Sequence, residues 1–223
     1  MIYLIRHGQT VANTYRILDT AVPGSPLTDL GHEQARNAAR AFFAGTDSGN
    51  STGTGDGRVP VAIYHGPATR TKQTATELCA MFNDLTGSDR LAPQAVEGTY
   101  EIQAGDYEGQ RGWPAFRAYQ DVMWEWAHGR EASLPGGETL AEFTARFRRI
   151  VEPLEEGAML VAHGAAIRMI TLLSCHGLGP IETLSAPLEN CGVVTIERTG
   201  EFGSWTLHGR DEWRPQSPPA ELV

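Results

Sequence analysis

Residues 2–8 read Ile2-Tyr3-Leu4-Ile5-Arg6-His7-Gly8, and residues 159–164 read Met159-Leu160-Val161-Ala162-His163-Gly164. Each is a short, unbroken apolar run that stops at a histidine–glycine pair. An apolar run of this length without polar alternation predicts a strand buried on both faces. Such strands belong to parallel sheets covered by helices on two sides. The sequence around them repeats that pattern. Thr28 is placed to cap a helix carrying Leu30, Ala35, Ala38 and Phe42 inward. Val61-Ala62-Ile63-Tyr64 predicts a further buried strand, followed by helical spacing from Thr69 to Phe82 through Ala75, Leu78 and Cys79. Residues 113–127 and 138–154 predict two more helices, and the second turns Leu140, Phe143, Phe147, Ile150 and Leu154 to one side. Ala165 to Leu173 predicts another, and Cys191–Ile196 with Trp205–His208 predicts a terminal pair of strands. The expectation is a three-layer α/β/α fold: a mostly parallel sheet with helices on both faces. Residues 1–213 are expected to form one domain and 214–223 a Pro-rich tail that frays. Residues 45–58 are nearly all Gly, Ser, Thr, Asp and Asn; they predict a solvated loop within the domain.

Composition narrows the function classes. The chain has 223 residues, 41% hydrophobic and 20% charged, which supports a packed core and argues against disorder. Its formal charge of −9 makes it a poor general binder of nucleic acid or of an anionic membrane surface. It leaves room for a small anion where a few cations converge. Three widely spaced cysteines, Cys79, Cys175 and Cys191, form neither a CxxC pair nor a disulfide framework. Met1 runs straight into the first apolar run, without a basic leader. No apolar run approaches the roughly 20 residues that span a bilayer. A cytoplasmic location is expected.

In a sheet of this kind ligands bind at the carboxyl ends of the strands. Arg6-His7-Gly8 and His163-Gly164 occupy that position. A lone histidine at a strand end usually satisfies a backbone carbonyl. Here His7 has Arg6 beside it, Gly8 to let the backbone approach a ligand, and Gln9, Thr10 and Asn13 following. A cation, an imidazole and amides at one strand apex suit an anion. Arg70, at the start of the helix after the second strand, would be a bidentate phosphate ligand if it points inward and an ordinary solvated arginine if it does not.

Six stretches in order resemble the histidine phosphatase superfamily, the phosphoglycerate-mutase-like group. They are Leu4-Ile5-Arg6-His7-Gly8-Gln9-Thr10 with Asn13; Ser25-Pro26-Leu27-Thr28-Asp29-Leu30-Gly31; Arg70 with Gln73-Thr74-Ala75; Glu101 to Gly109; Pro135-Gly136-Gly137-Glu138-Thr139; and Val161-Ala162-His163-Gly164. The chain departs from the family at Gly66, where a small hydroxyl residue is common, and over Arg16-Ile17-Leu18-Asp19-Thr20. Gly164 stands where the acid-phosphatase branch has Asp.

The resemblance implies a metal-independent phosphomonoesterase acting on a small phosphorylated substrate. His7 would attack phosphorus and carry the phosphoryl group, and water would then release it. Arg6, Asn13, Arg70 and Gly164 would bind the phosphate, with His163 as a second catalytic imidazole. Glu101 would protonate the leaving alkoxide, with Glu97 as the alternative acid; Glu108 reads as structural. No metal or other cofactor is expected, and no nucleic-acid or membrane partner. The alternatives are a phosphoglycerate mutase or related phosphotransferase, and a phosphoester-binding module with little catalysis. The mutase reading is weakened because residues 101–136 hold only Arg111, Arg117 and Arg130, with no adjacent arginine pair. Among Tyr107, Trp113, Phe116, Tyr119, Trp124 and Trp126, most are expected in helix core. One or two facing the substrate would suit an organic group larger than a glycerate.

Overall fold

The computed structural model describes residues 1–45, 57–185 and 187–209. Most of the predicted loop at 45–58, and all of the tail from 214, lie outside the described residues. Strand β1 (Ile2–Arg6) is followed by a short helix α1 (Val11–Tyr15) and by α2 (Asp29–Phe43). Then come β2 (Ile63–His65), α3 (Thr69–Thr86) and β3 (Pro93–Ala95). Helices α4 (Trp113–Ala127) and α5 (Leu140–Val151) precede β4 (Met159–Ala162). Helices α6 (Gly164–Ser174) and α7 (Pro180–Leu184) lead to β5 (Val193–Glu197) and β6 (Thr206–His208).

The sheet order is β3-β2-β4-β1-β5-β6. The first four of these run parallel; β5 and β6 close one edge antiparallel. Side chains alternate across β1, as a strand requires. Ile2 and Leu4 join a core with Trp126, Phe143, Phe147 and Ile167, from α4, α5 and α6. Tyr3 and Ile5 join a second core with Ala35, Phe42, Leu78 and Phe82, from α2 and α3. The three-layer α/β/α architecture expected from the sequence is therefore present. The covering helices change face between the segments before and after β3, which makes the β4–β1 junction the topological switch.

That junction fixes the site. Arg6 pairs with Ala162 in the parallel register, and the His7 amide donates to the Ala162 carbonyl at 3.0 Å. His7 and His163, each one residue beyond a paired position, are thereby placed side by side.

Several expected details change. Helix α2 buries Gly31, Ala35, Ala39 and Phe42, while Leu30 is exposed. Gly31 faces inward because a Cβ there would come 2.2 Å from the Gln9 carbonyl oxygen. Gly8 meets the same contact: its Cβ would lie 2.4 Å from the Gly31 oxygen. Its small size admits the first turn of α2, not a ligand. Strand β2 begins two residues later than expected, since Val61 is exposed. Helix α5 begins at Leu140 because Thr139 and Glu142 form a capping box. Glu138 precedes the cap and is buried against Arg146. Helices α1 and α7 and edge strand β3 were not expected; each is too short to show a periodicity.

Candidate active site

The site is built where β1 and β4 end. His7 Nδ1 lies 2.7 Å from the Gly8 carbonyl oxygen. A carbonyl only accepts, so Nδ1 carries the proton and Nε2 holds the lone pair. Burial, then the charges of Arg70 and Arg6, hold the His7 imidazole well below its usual pKa of 6.5. It is uncharged at neutral pH and available as a nucleophile.

His163 is fully buried, its ring centroid 5.4 Å from that of His7. Arg70 Nε donates to His163 Nδ1 at 3.2 Å. An arginine cannot accept, so the proton of the neutral His163 ring is on Nε2. That buried Nε2 makes no hydrogen bond among the described residues, nor does Arg6 Nε; Arg70 Nη1 makes none either, its nearest carboxylate being Asp19 Oδ2 at 3.6 Å. Burial, then Arg70 and His7, also hold His163 well below 6.5. Three donors without protein acceptors, set around one nucleophilic nitrogen, make a receptor for a small oxyanion.

The guanidinium groups are positioned by backbone. Arg6 Nη1 donates to the Leu188 carbonyl, and a Cβ on Gly164 would come 3.1 Å from Arg6 Nε. Gly164 thus serves by giving Arg6 its place. Arg70 is 2% exposed and lies 3.6 Å from Asp19. Gly24, at φ +67°, leaves room for Arg70 Nη1, which a Cβ would approach to 2.0 Å. Arg70 thus points inward and is not a solvated helix arginine.

A cavity of about 430 Å³ opens over this cup, and Arg6, His7, Asn13, Arg70, Glu101 and Gly164 all line it. Glu101 Oε1 accepts from the Ala166 amide at 2.8 Å and Oε2 from the Ala165 amide at 3.1 Å. It sits at the N-terminus of α6, on amides two and three residues beyond His163, and shares the cavity lining with His7; His163 itself is not among the lining residues. Glu97 is exposed and bonded to the Tyr100 hydroxyl, away from the cavity lining. Glu108 accepts from the Thr20 amide and hydroxyl, as its structural reading requires. Asn13 caps α1 with Thr10, and its Oδ1 accepts from Asn190 Nδ2 at 3.3 Å.

Sequence reasoning missed Asn190, which also donates to the His7 carbonyl at 3.0 Å. It missed Asp19 as the carboxylate beside Arg70, and Arg16 and Arg168 as cavity walls. The signal for Asn190 was a polar residue three positions before the strand that pairs antiparallel with β1. The segment Arg16–Thr20, which departs from the family pattern, forms one wall of the cavity. Among the described residues no cluster of three or more His, Cys, Asp or Glu is arranged to hold a metal ion. None of their helices is long and apolar enough to cross a membrane.

Two neutral buried histidines have a consequence for stability. Their folded-state pKa values lie below the unfolded value near 6.5, so below that pH the unfolded chain binds more protons. Their neutral burial costs nothing above the unfolded value, and stability falls as pH drops through it. Each contributes a slope of up to about 1.4 kcal/mol per pH unit. Urea titrations between roughly pH 6.5 and 5 are expected to show this slope, and His163→Gln to reduce it by about half. Identical slopes in the two proteins would refute the assignment.

Fold and site together define an α/β/α protein with a cationic, imidazole-bearing cup at the ends of β1 and β4. The family model described as histidine phosphatase superfamily (branch 1) matches residues 2–211, and the chain belongs to that superfamily. It is 31% identical over 207 residues to "Putative phosphoserine phosphatase 2" of Hydrogenobacter thermophilus, covering 90% of each chain. It is 25% identical to 2,3-bisphosphoglycerate-dependent phosphoglycerate mutase 2 of Gloeobacter violaceus, covering 100% of this chain and 98% of that one. Among solved structures, a mycobacterial glucosyl-3-phosphoglycerate phosphatase in complex with VO3 superposes with a TM-score of 0.66 at 21% identity, over 92% of this chain and 96% of that one. A phosphoglycerate mutase from Thermus thermophilus gives 0.60 at 21%, over 92% and 97%. These two share the fold. The family and its phosphatase members make this chain a phosphatase-type enzyme.

Proposed function

We propose that the protein is a phosphomonoesterase that hydrolyses a small organic phosphate through a phosphohistidine on His7, without a metal. The observation that carries this is a neutral His7 with its lone pair on Nε2, buried beside His163, Arg70 and Arg6, each of which has a donor nitrogen that makes no hydrogen bond within the protein. The nucleophile is created by the Nδ1 bond to Gly8 and by burial, not by a separate base. Nε2 forms the bond to phosphorus as the ester oxygen leaves with its electron pair. The three donors bear on the phosphoryl oxygens, whose charge dominates the barrier. Glu101, protonated when the ester binds, gives its proton to the leaving oxygen. In the second step it takes a proton from the water that attacks phosphorus, and the P–N bond breaks, returning its electron pair to Nε2 and releasing inorganic phosphate. Backbone amides of Ile102, Ala165 and Ala166 donate to its carboxyl oxygens and fix its position.

Hydrolysis is the reading preferred over mutase chemistry: beyond the cup, Arg16 and Arg168 reach the cavity, but the arginines of residues 101–136 do not. Arg117 is exposed and paired with Asp121, and Arg130 with Glu125. Neither these nor Arg111 lines the cavity. The three free cysteines are buried, which supports a cytoplasmic setting. The similarity to a protein named for phosphoserine makes phosphoserine a first substrate to assay.

Two measurements test the reading. Release of inorganic phosphate from p-nitrophenyl phosphate is expected to persist in EDTA; loss on chelation would remove the metal-free mechanism. Glu101→Gln is expected to lower kcat/KM about 100-fold for alkyl phosphates and far less for p-nitrophenyl phosphate, whose leaving group needs no proton. Equal losses would give the acid role to another group. Transfer of the phosphoryl group between phosphoglycerate positions, in place of phosphate release, would make the protein a mutase.

A further inference from the structure

The cavity over His7 does not end at its own walls. Gln120, Met123, Arg168 and Pro187 line it on one side and, on the other, line a second cavity of about 680 Å³ between α4 and α7. The floor and rim of this second space include Trp113, Trp124, Ile181 and Leu184. Three of these are unusually exposed for their size: Trp113 at 58%, Trp124 at 41% and Ile181 at 67%. Solvent-facing large apolar side chains gathered on one groove mark a binding surface. Arg168 stands at the passage, donating to the Gly164 carbonyl of α6 at 3.3 Å and to the Leu184 carbonyl of α7 at 3.2 Å.

We propose that this groove binds the organic half of the substrate, and that the protein acts on phosphomonoesters whose alcohol ends in a flat aromatic group without positive charge. The proposal rests on the phosphatase reading above and names the substrate class of that site. Adjacency decides the occupant. The two cavities share Gln120, Met123, Arg168 and Pro187 as a common wall, so the alcohol of an ester bound at His7 that reaches over this wall meets the two indoles. Indole faces favour a stacked ring over a flexible polar chain. The charged lining residues are Arg117, Asp121 and Arg168, with Arg117 and Asp121 paired at 3.0 Å. A lining with two guanidinium groups and one carboxylate opposes a cationic group that indoles would otherwise attract.

Three primary-alkyl esters, with leaving groups needing the same protonation, separate the terms: ethyl phosphate, phosphocholine and 2-(2-naphthyl)ethyl phosphate. For the wild-type enzyme the naphthyl ester is expected to show a KM at least about 10-fold below those of the other two. In the double variant Trp113→Ala/Trp124→Ala the ratio of kcat/KM between naphthyl and ethyl esters is expected to collapse toward unity. A wild-type ratio near unity, a ratio unmoved in the variant, or a preference for phosphocholine would overturn the proposal. If no ester is turned over, the phosphatase reading fails separately. The groove is then read by calorimetric binding of the same esters to the wild-type protein: tighter binding of the naphthyl ester supports it, and equal binding overturns it. A dimer that the double variant dissociates would assign the groove to a second copy of the chain and also overturn the proposal.

Discussion

His7→Ala is expected to abolish phosphatase turnover, with a loss on the order of 10⁴-fold or more in kcat/KM and no phosphoryl group trapped on the protein by acid-free quenching. The size follows from the arrangement of the site. Among the described groups of the cup, Arg6, Arg70 and His163 present donors, Asp19 and Glu101 are carboxylates, and His7 offers the neutral ring nitrogen with an unshared pair. Without it the enzyme retains a phosphate receptor and no bond-forming atom. Phosphate or vanadate affinity is thus expected to survive in the variant. A variant with wild-type turnover would end the covalent mechanism.

The second large effect lies away from the phosphate. Arg146 Nε and Nη2 donate to the two oxygens of Glu138 at 2.7 and 2.6 Å, and the Glu138 side chain is 3% exposed. The same guanidinium donates to the carbonyls of Gly98, Tyr100 and Glu101, and Glu138 accepts from the Gln103 amide. This pair therefore clamps the backbone on both sides of Glu101. Glu138→Ala strands a largely buried cation, at a cost of about 3–5 kcal/mol. For a chain of this size the melting temperature is expected to fall by roughly 10 °C. The loosened loop is expected to slow alkyl esters more than p-nitrophenyl phosphate, because only the former depend on Glu101 as acid. A melting temperature within about 2 °C of wild type would show that the clamp carries little energy.

Much of this was legible in the residues. The buried strands at Ile2–Ile5 and Met159–Ala162 follow from apolar runs that leave few other options. The pairing of β1 with β4 is what joins His7 to His163, and no local pattern encodes it; the repeated His-Gly ending was the only trace. The cations were half legible. Arg6 and Arg70 stood in motifs, whereas Arg16 and Arg168 reach the cavity from α1's end and from α6, where sequence spacing says nothing about which way a long side chain leans. Glu138 looked like part of a helix because its spacing fits. The capping box at Thr139 excludes it, and the buried ion pair with Arg146 claims it instead. Gly8 pointed to a ligand and in fact admits a helix, a distinction set by packing that one residue's identity does not carry.

The parallel register of β1 and β4 separates two evolutionary burdens. The spacing of the reactive imidazoles is inherited from ladder geometry, which a drifting sequence preserves as long as the sheet forms. The walls of the cavity at residues 16–20 and α4 come from other parts of the chain and lie outside that ladder. Substitutions there are expected to alter which leaving group fits while leaving the spacing of the two imidazoles unchanged.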